Sequence, residues 1–237
     1  MAKVKICGLR TMADVEKVNR YLPEYVGFIF ANTRRFVTDE QALAMSRALD
    51  RRIQAVGVFV DEPLGHVADL CDRGVIKVIQ LHGEESEAYI RELKQQTDTT
   101  VIKAVRVQGV EQVTGLMSQE ADYMLFDTCK KGEPGGTGER FPLEILKESL
   151  VRLTRKGDPV KPYFLAGGLD CGNVAEVIRQ TECFAVDVST GVETDGVKDE
   201  AKIRKFVESV RSLQHTADET VLPSVQEQKM RKENENG

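Results

Sequence analysis

The chain has 237 residues, 41% of them hydrophobic, which suits one domain with a sizeable core and is a common length for an α/β barrel. A net charge of -5 with acidic and basic residues interspersed offers no basic face to nucleic acid or an anionic membrane, and neither a membrane-length apolar run nor a signal-peptide core is visible. Five spread-out cysteines without a C-x-x-C pair, and three scattered histidines, argue against a disulfide framework and a metal cluster and predict a reduced, cytoplasmic, metal-free protein.

Along the chain, short apolar runs alternate with segments of helical period. KVKIC (3–7) leads into an amphipathic stretch from Thr11 to Leu22, in which Met12, Val15 and Val18 share a face. YVGFIF precedes a helix over 38–50 with Thr38 as its cap, and IQAVGVFV precedes a helix over 63–73. VIKVIQ pairs with a helix over 84–95, TVIKAV with 109–119, DYMLFD with 141–155, PYFLA with 171–180 and CFAVDV with 199–212. Eight strand–helix units in this length predict a closed (β/α)8 TIM barrel over residues 1–212, with an open doubly wound sheet as the alternative. Residues 213–237 are polar and weakly periodic, and read as a disordered or loosely packed tail.

In such a barrel the chemistry sits at the C-terminal ends of the strands. Those ends hold Cys7, Asp61, His82, Arg106, Asp127 and Asp187, with Arg34 and Arg35 in the loop after the second strand. LAGGLDCGNV (165–174) and VDVSTGVET (186–194) occupy the seventh and eighth loops, where glycine and a helix N-terminus favour a phosphate group. A phosphorylated small molecule is the expected ligand, and a monomer is expected rather than a dimer.

A free cysteine is more often core filler than a base. Cys7 differs by its strand-end position and the glycine after it, but at an ordinary pKa only about 3% of it is thiolate at pH 7, so a nearby cation would have to help. Lys5 shares its strand face. Asp127 closes the sixth strand and runs into GEPGGTGERF, so Cys7 and Asp127 would face each other across the barrel mouth, a base and an acid suited to isomerisation of a sugar phosphate. His82 serves equally well as a structural hydrogen-bonding residue, and the paired arginines as a solvated surface.

KICGLR, VGFIF with TRRFV, VGVFV, VIQLHGEE, FDT with GGTGERF, LAGGLDCGNV and VDVSTGVETDGVKDEAKIRKFV together resemble the blocks of the phosphoribosylanthranilate isomerase family, in its order, over residues 3 to about 212. The resemblance implies a cofactor-free, metal-free Amadori rearrangement in tryptophan biosynthesis. It implies Asp127 as general acid, Cys7 as general base and Arg35 on the anthranilate carboxylate. It also implies His82 and Asp187 at the substrate, Gly167, Gly168, Ser189, Thr190 and Gly191 at the phosphate, and Gly135, Gly136 and Gly138 in a flap over the site. Ser189–Thr190 stands where the family usually has two serines, which keeps the hydroxyl. Two other readings remain: a related phosphate barrel such as indole-3-glycerol-phosphate synthase, and a barrel that only binds phosphorylated ligands. Cys7 in place of catalytic lysines speaks against the first, and the joint presence of Cys7, Asp127 and Arg35 against the second.

Overall fold

The computed structural model describes residues 2–107, 109–117, 120–127 and 143–219. The glycines Gly135, Gly136 and Gly138 of the expected flap lie outside the described residues. Eight parallel strands close on themselves: β1 (Lys3–Cys7), β2 (Tyr25–Ile29), β3 (Gln54–Phe59), β4 (Val78–Leu81), β5 (Thr100–Arg106), β6 (Tyr123–Asp127), β7 (Tyr163–Ala166) and β8 (Ala185–Val188). The pairing of β1 with β8, Lys5 beside Asp187, completes the ring and removes the open-sheet alternative. Each strand is followed by its helix: α1 (Met12–Tyr21), α2 (Asp39–Ala48), α3 (Leu64–Asp72), α4 (Glu87–Gln96), α5 (Val110–Leu116), α6 (Leu143–Lys156), α7 (Val174–Thr181) and α8 (Glu200–Glu219).

The helices start where local chemistry lets them. Thr11 and Thr38 each cap their helix in a reciprocal box, with Asp14 and Gln41 as the returning side chains. Val15 and Val18 are buried on the inner face of α1, whereas Met12 is exposed and does not belong to that face. The fourth helix begins at Glu87 rather than 84, because Ser86 caps it and Glu85 is taken by the loop: its carboxylate accepts from the backbone N–H of Asp61 and Gly83. The seventh begins at Val174 rather than 171, because Asp170 Oδ1 accepts from the N–H of Gly172 and Asn173, winding a turn before the helix can start. The eighth runs to Glu219, beyond the boundary expected at 212, and among its described side chains Ile203, Phe206, Val207 and Val210 are buried.

Two apolar layers hold the barrel. A large one between strands and helices includes Ile6, Phe28, Phe59, Ile79, Phe126 and Phe206. A smaller one fills the barrel interior with Tyr25, Val56, Val78, Ile102, Leu125 and Phe164, where Phe164 packs edge-on against Tyr25. Toward the C-terminal mouth this apolar filling gives way to buried polar side chains, Lys5, Gln80, Lys103 and Asp187. Ionised groups survive inside a barrel only when paired and hydrogen-bonded. Their concentration at one end therefore separates a stability end from a chemical end.

Candidate active site

A cavity of about 450 Å³ opens at the C-terminal mouth. Its wall includes Cys7, Arg35, His82, Asp127, Gly167, Gly168, Asp187, Ser189 and Thr190, so nine of the residues singled out from sequence meet in one place. Gly191 does not line it. A side chain at Gly191 would collide with the carbonyl oxygen of Leu169, so this glycine lets the eighth loop pack against the seventh.

Cys7 ends β1 and is buried, and its in-register neighbour on β2 is Gly27. A Cβ at Gly27 would lie 2.7 Å from the Cys7 sulfur, so that glycine makes the room for the thiol. Gly27 was not singled out from sequence, although a glycine inside an otherwise apolar strand was the available signal. The next residue, Gly8, has φ +84 and a side chain there would run into Arg35. The Ser189 hydroxyl donates to the Cys7 carbonyl oxygen at 3.0 Å, tying the eighth loop to the end of β1. Burial pushes the Cys7 thiol above its ordinary pKa; the ammonium of Lys5 opposes this, Asp187 adds to it and Lys198 opposes it.

Lys5 is fully buried and donates to Asp187 Oδ2 at 2.7 Å. Burial works against its charge, but Asp187 and Cys7 outweigh that and raise its pKa. The second oxygen, Asp187 Oδ1, is buried and makes no hydrogen bond among the described residues. Asp187 as a residue lines the cavity.

Asp127 ends β6, three steps round the ring from β1 by way of β7 and β8. His82 Nε2 stands 3.3 Å from Asp127 Oδ2, and His82 Nδ1 is 2.9 Å from the side-chain amide nitrogen of Gln80. With that amide donating to Nδ1, the imidazole proton sits on Nε2 and faces the carboxylate. The loop that carries His82 is anchored from below. Lys103 donates to the Gly83 carbonyl at 2.7 Å and to Glu85 at 2.6 Å, and Glu85 in turn holds the backbone of Asp61 and Gly83.

Arg35 reaches the wall but is already engaged: Nε and Nη2 donate to the two oxygens of Glu193 at 2.8 and 2.9 Å, a bidentate fork. Glu193 also accepts from Arg34 at 3.0 Å and from the buried Lys198 at 2.9 Å. Burial would raise the Glu193 carboxyl, but the hydrogen bonds from Arg35 and Lys198 bring it down to about 2. Glu193 and Lys198 sit on the short hairpin of β9 (Glu193–Thr194) and β10 (Val197–Lys198). Counting Lys5, Lys198, Arg34 and Arg35 against Asp187 and Glu193, this side of the mouth carries a surplus of positive charge.

The loop after β7 turns on Gly167 and Gly168, with φ +97 and +62, a consecutive pair that glycine adopts without strain. Asn173 fixes that turn by donating to the Gly168 carbonyl at 2.8 Å. Ser189 and Thr190, in the loop after the neighbouring strand β8, line the same cavity.

A surplus of positive charge, two glycine-bearing loops and a cysteine–aspartate pair across one cavity narrow the choice, and known proteins agree with one another on it. The family model of N-(5'phosphoribosyl)anthranilate (PRA) isomerase matches residues 4–209. The N-(5'-phosphoribosyl)anthranilate isomerase of Lachnoclostridium phytofermentans is 43% identical over 208 residues, covering 86% of this chain and 95% of that one. The crystal structure of phosphoribosyl anthranilate isomerase from Thermotoga maritima superposes with a TM-score of 0.78 at 30% identity, over 90% of this chain and all of that one. A phosphoribosyl anthranilate isomerase in complex with reduced 1-(o-carboxyphenylamino)-1-deoxyribulose 5-phosphate gives a TM-score of 0.73 at 30% identity with the same coverage. With barrel, mouth and sequence blocks in accord over nearly its whole described length, the chain belongs to the N-(5'-phosphoribosyl)anthranilate isomerase family and is an isomerase of tryptophan biosynthesis.

Proposed function

We propose that Cys7 and Asp127 are the general base and general acid by which this chain converts N-(5'-phosphoribosyl)anthranilate to 1-(2-carboxyphenylamino)-1-deoxyribulose 5-phosphate. The observation that carries the assignment is their placement: two proton-transfer groups on opposite sides of one cavity, with the phosphate-type loops on the same rim. The cavity volume falls in the usual range for a small-molecule site, roughly 300–1,000 Å³.

Asp127 protonates the furanose ring oxygen, and the ring opens to a Schiff base with the anthranilate nitrogen. Cys7, as thiolate, takes the C2 proton, and the enolamine relaxes to the ketone. His82, with its proton directed at Asp127, fixes that carboxyl group. The Gly167–Gly168 turn with Ser189 and Thr190 holds the phosphate, and Asp187 lies beside the sugar. Arg35 receives the anthranilate carboxylate by sharing or exchanging its fork with Glu193, whose second cation, Lys198, keeps Glu193 compensated when Arg35 turns away. A cytoplasmic, reduced location is part of the same reading, in keeping with a biosynthetic enzyme family. A monomer remains the expectation, to be read by sedimentation velocity.

Cys7→Ser and Asp127→Asn test the assignment. Each should lower kcat by about 10² to 10⁴ with KM and melting temperature little changed, measured as loss of anthranilate fluorescence from freshly generated substrate. A Cys7→Ser protein that keeps more than roughly a tenth of the wild-type kcat would remove Cys7 from the role of base.

A further inference from the structure

Lys5 has no task in the chemistry above, yet it is a fully buried cation at the floor of the mouth. It lies on the face of β1 that carries Cys7, two residues earlier, and donates to Asp187 Oδ2 at 2.7 Å, while its charge acts on the Cys7 thiol. The sulfur occupies the space that a side chain at Gly27 would fill.

We propose that Lys5 is a positioning residue for the base: its ammonium, anchored by Asp187, donates to the Cys7 sulfur and stabilises the thiolate when it forms. The inference rests on Cys7 being the base. During the reaction Lys5 keeps its own proton, and the proton from C2 passes to sulfur.

The groups that face Cys7 decide the direction of the effect. Lys5 faces it from β1, Asp187 from β8 and Lys198 from β10, with Arg35 and Glu193 behind Lys198, while β2 presents only Gly27. Burial and Asp187 oppose ionisation of the thiol; Lys5 is the largest influence in its favour, ahead of Lys198. Without Lys5 the largest charge acting on the sulfur is the Asp187 carboxylate, and the thiolate loses its main support. If Lys5 served only as a counter-ion to Asp187, the thiol would titrate unchanged when both charges are removed together.

Alkylation of Cys7 by iodoacetamide against pH, followed by the mass of the Cys7 peptide, reads the thiol directly in the full chain. In Lys5→Met the midpoint should move to higher pH by at least about one unit, the usual effect of an ion pair at this range, which is about tenfold less thiolate at neutral pH. Turnover should fall about tenfold or more, recover as pH is raised, and leave KM comparatively unmoved. Lys5→Arg should restore much of both. The double variant Lys5→Met/Asp187→Asn leaves no charge buried without its partner, and should show a smaller shift of the same sign because Asp187 no longer opposes the thiolate. An unmoved midpoint in the folded double variant overturns the role of Lys5. A moved midpoint with unchanged kcat overturns instead the reading of Cys7 as base, so the two failures are told apart.

Discussion

Replacing Gly27 by alanine tests whether the thiol's position, rather than merely its presence, carries the reaction. The added methyl would stand 2.7 Å from the Cys7 sulfur and 3.2 Å from the Cys7 Cα. Ordinary contact lies near 3.5–4.0 Å, so the sulfur has to move by on the order of 1 Å, or β1 and β2 have to part. Overpacking of this kind costs about 1–3 kcal/mol of stability, and a chain of this size loses about 2–4 °C of melting temperature per kcal/mol. Misplacing a reacting group by about 1 Å can cost roughly 10² in rate. Gly57 provides the comparison: a Cβ there would meet Phe59 at 2.7 Å and Ile76 at 2.8 Å, an equally tight fit on the outer side of β3. Gly27→Ala and Gly57→Ala should therefore lose similar stability in thermal unfolding, while only Gly27→Ala loses kcat by a further order of magnitude or more. Equal losses of kcat in both would mean that the packing beside the sulfur has no special place in the chemistry.

Arg35→Ala should lower kcat/KM by about 2–4 kcal/mol, mainly through KM; a larger effect from Arg34→Ala, whose side chain is 57% exposed, would move the carboxylate clamp to that neighbour. Glu193, held at about 2 against an ordinary 4.5, contributes stability that is fully present above pH 4.5 and lost as pH falls toward 2. Glu193→Gln should therefore be less stable than wild type near neutral pH in denaturant titrations, with the gap closing across that acid window. Because burial raises the Cys7 thiol, kcat/KM should climb with pH through a thiol ionisation on the alkaline side of neutrality, and an activity limb that matches Cys7 alkylation below pH 7 would contradict this. Deleting residues 216–237 should leave melting temperature and turnover almost unchanged, since the family match ends at 209; a loss of several degrees would show that this segment packs on the barrel.

The sequence made the architecture legible because a strand and a helix leave different periods, and eight alternations leave few ways to close. What it hid were contacts between elements distant in the chain. Helix starts at 84 and 171 were misplaced because Glu85 and Asp170 look like helix residues until their carboxylates are seen to hold loop backbone. At the site, position along a strand located Cys7, His82, Asp127 and Asp187, since strand ends are countable. The motif places Gly191 at the phosphate, and its need for no side chain comes from Leu169, in another loop. Arg35 was read as a waiting clamp, whereas it is already forked onto a carboxylate 158 residues away. Glu193, Lys198 and Lys5 show the general reason. Each is a charged residue that composition assigns to solvent, and each is buried because a partner on another element offsets its desolvation. Such networks leave no local pattern, so a sequence discloses which groups can do the chemistry more readily than which groups hold them in the charge state that the chemistry requires.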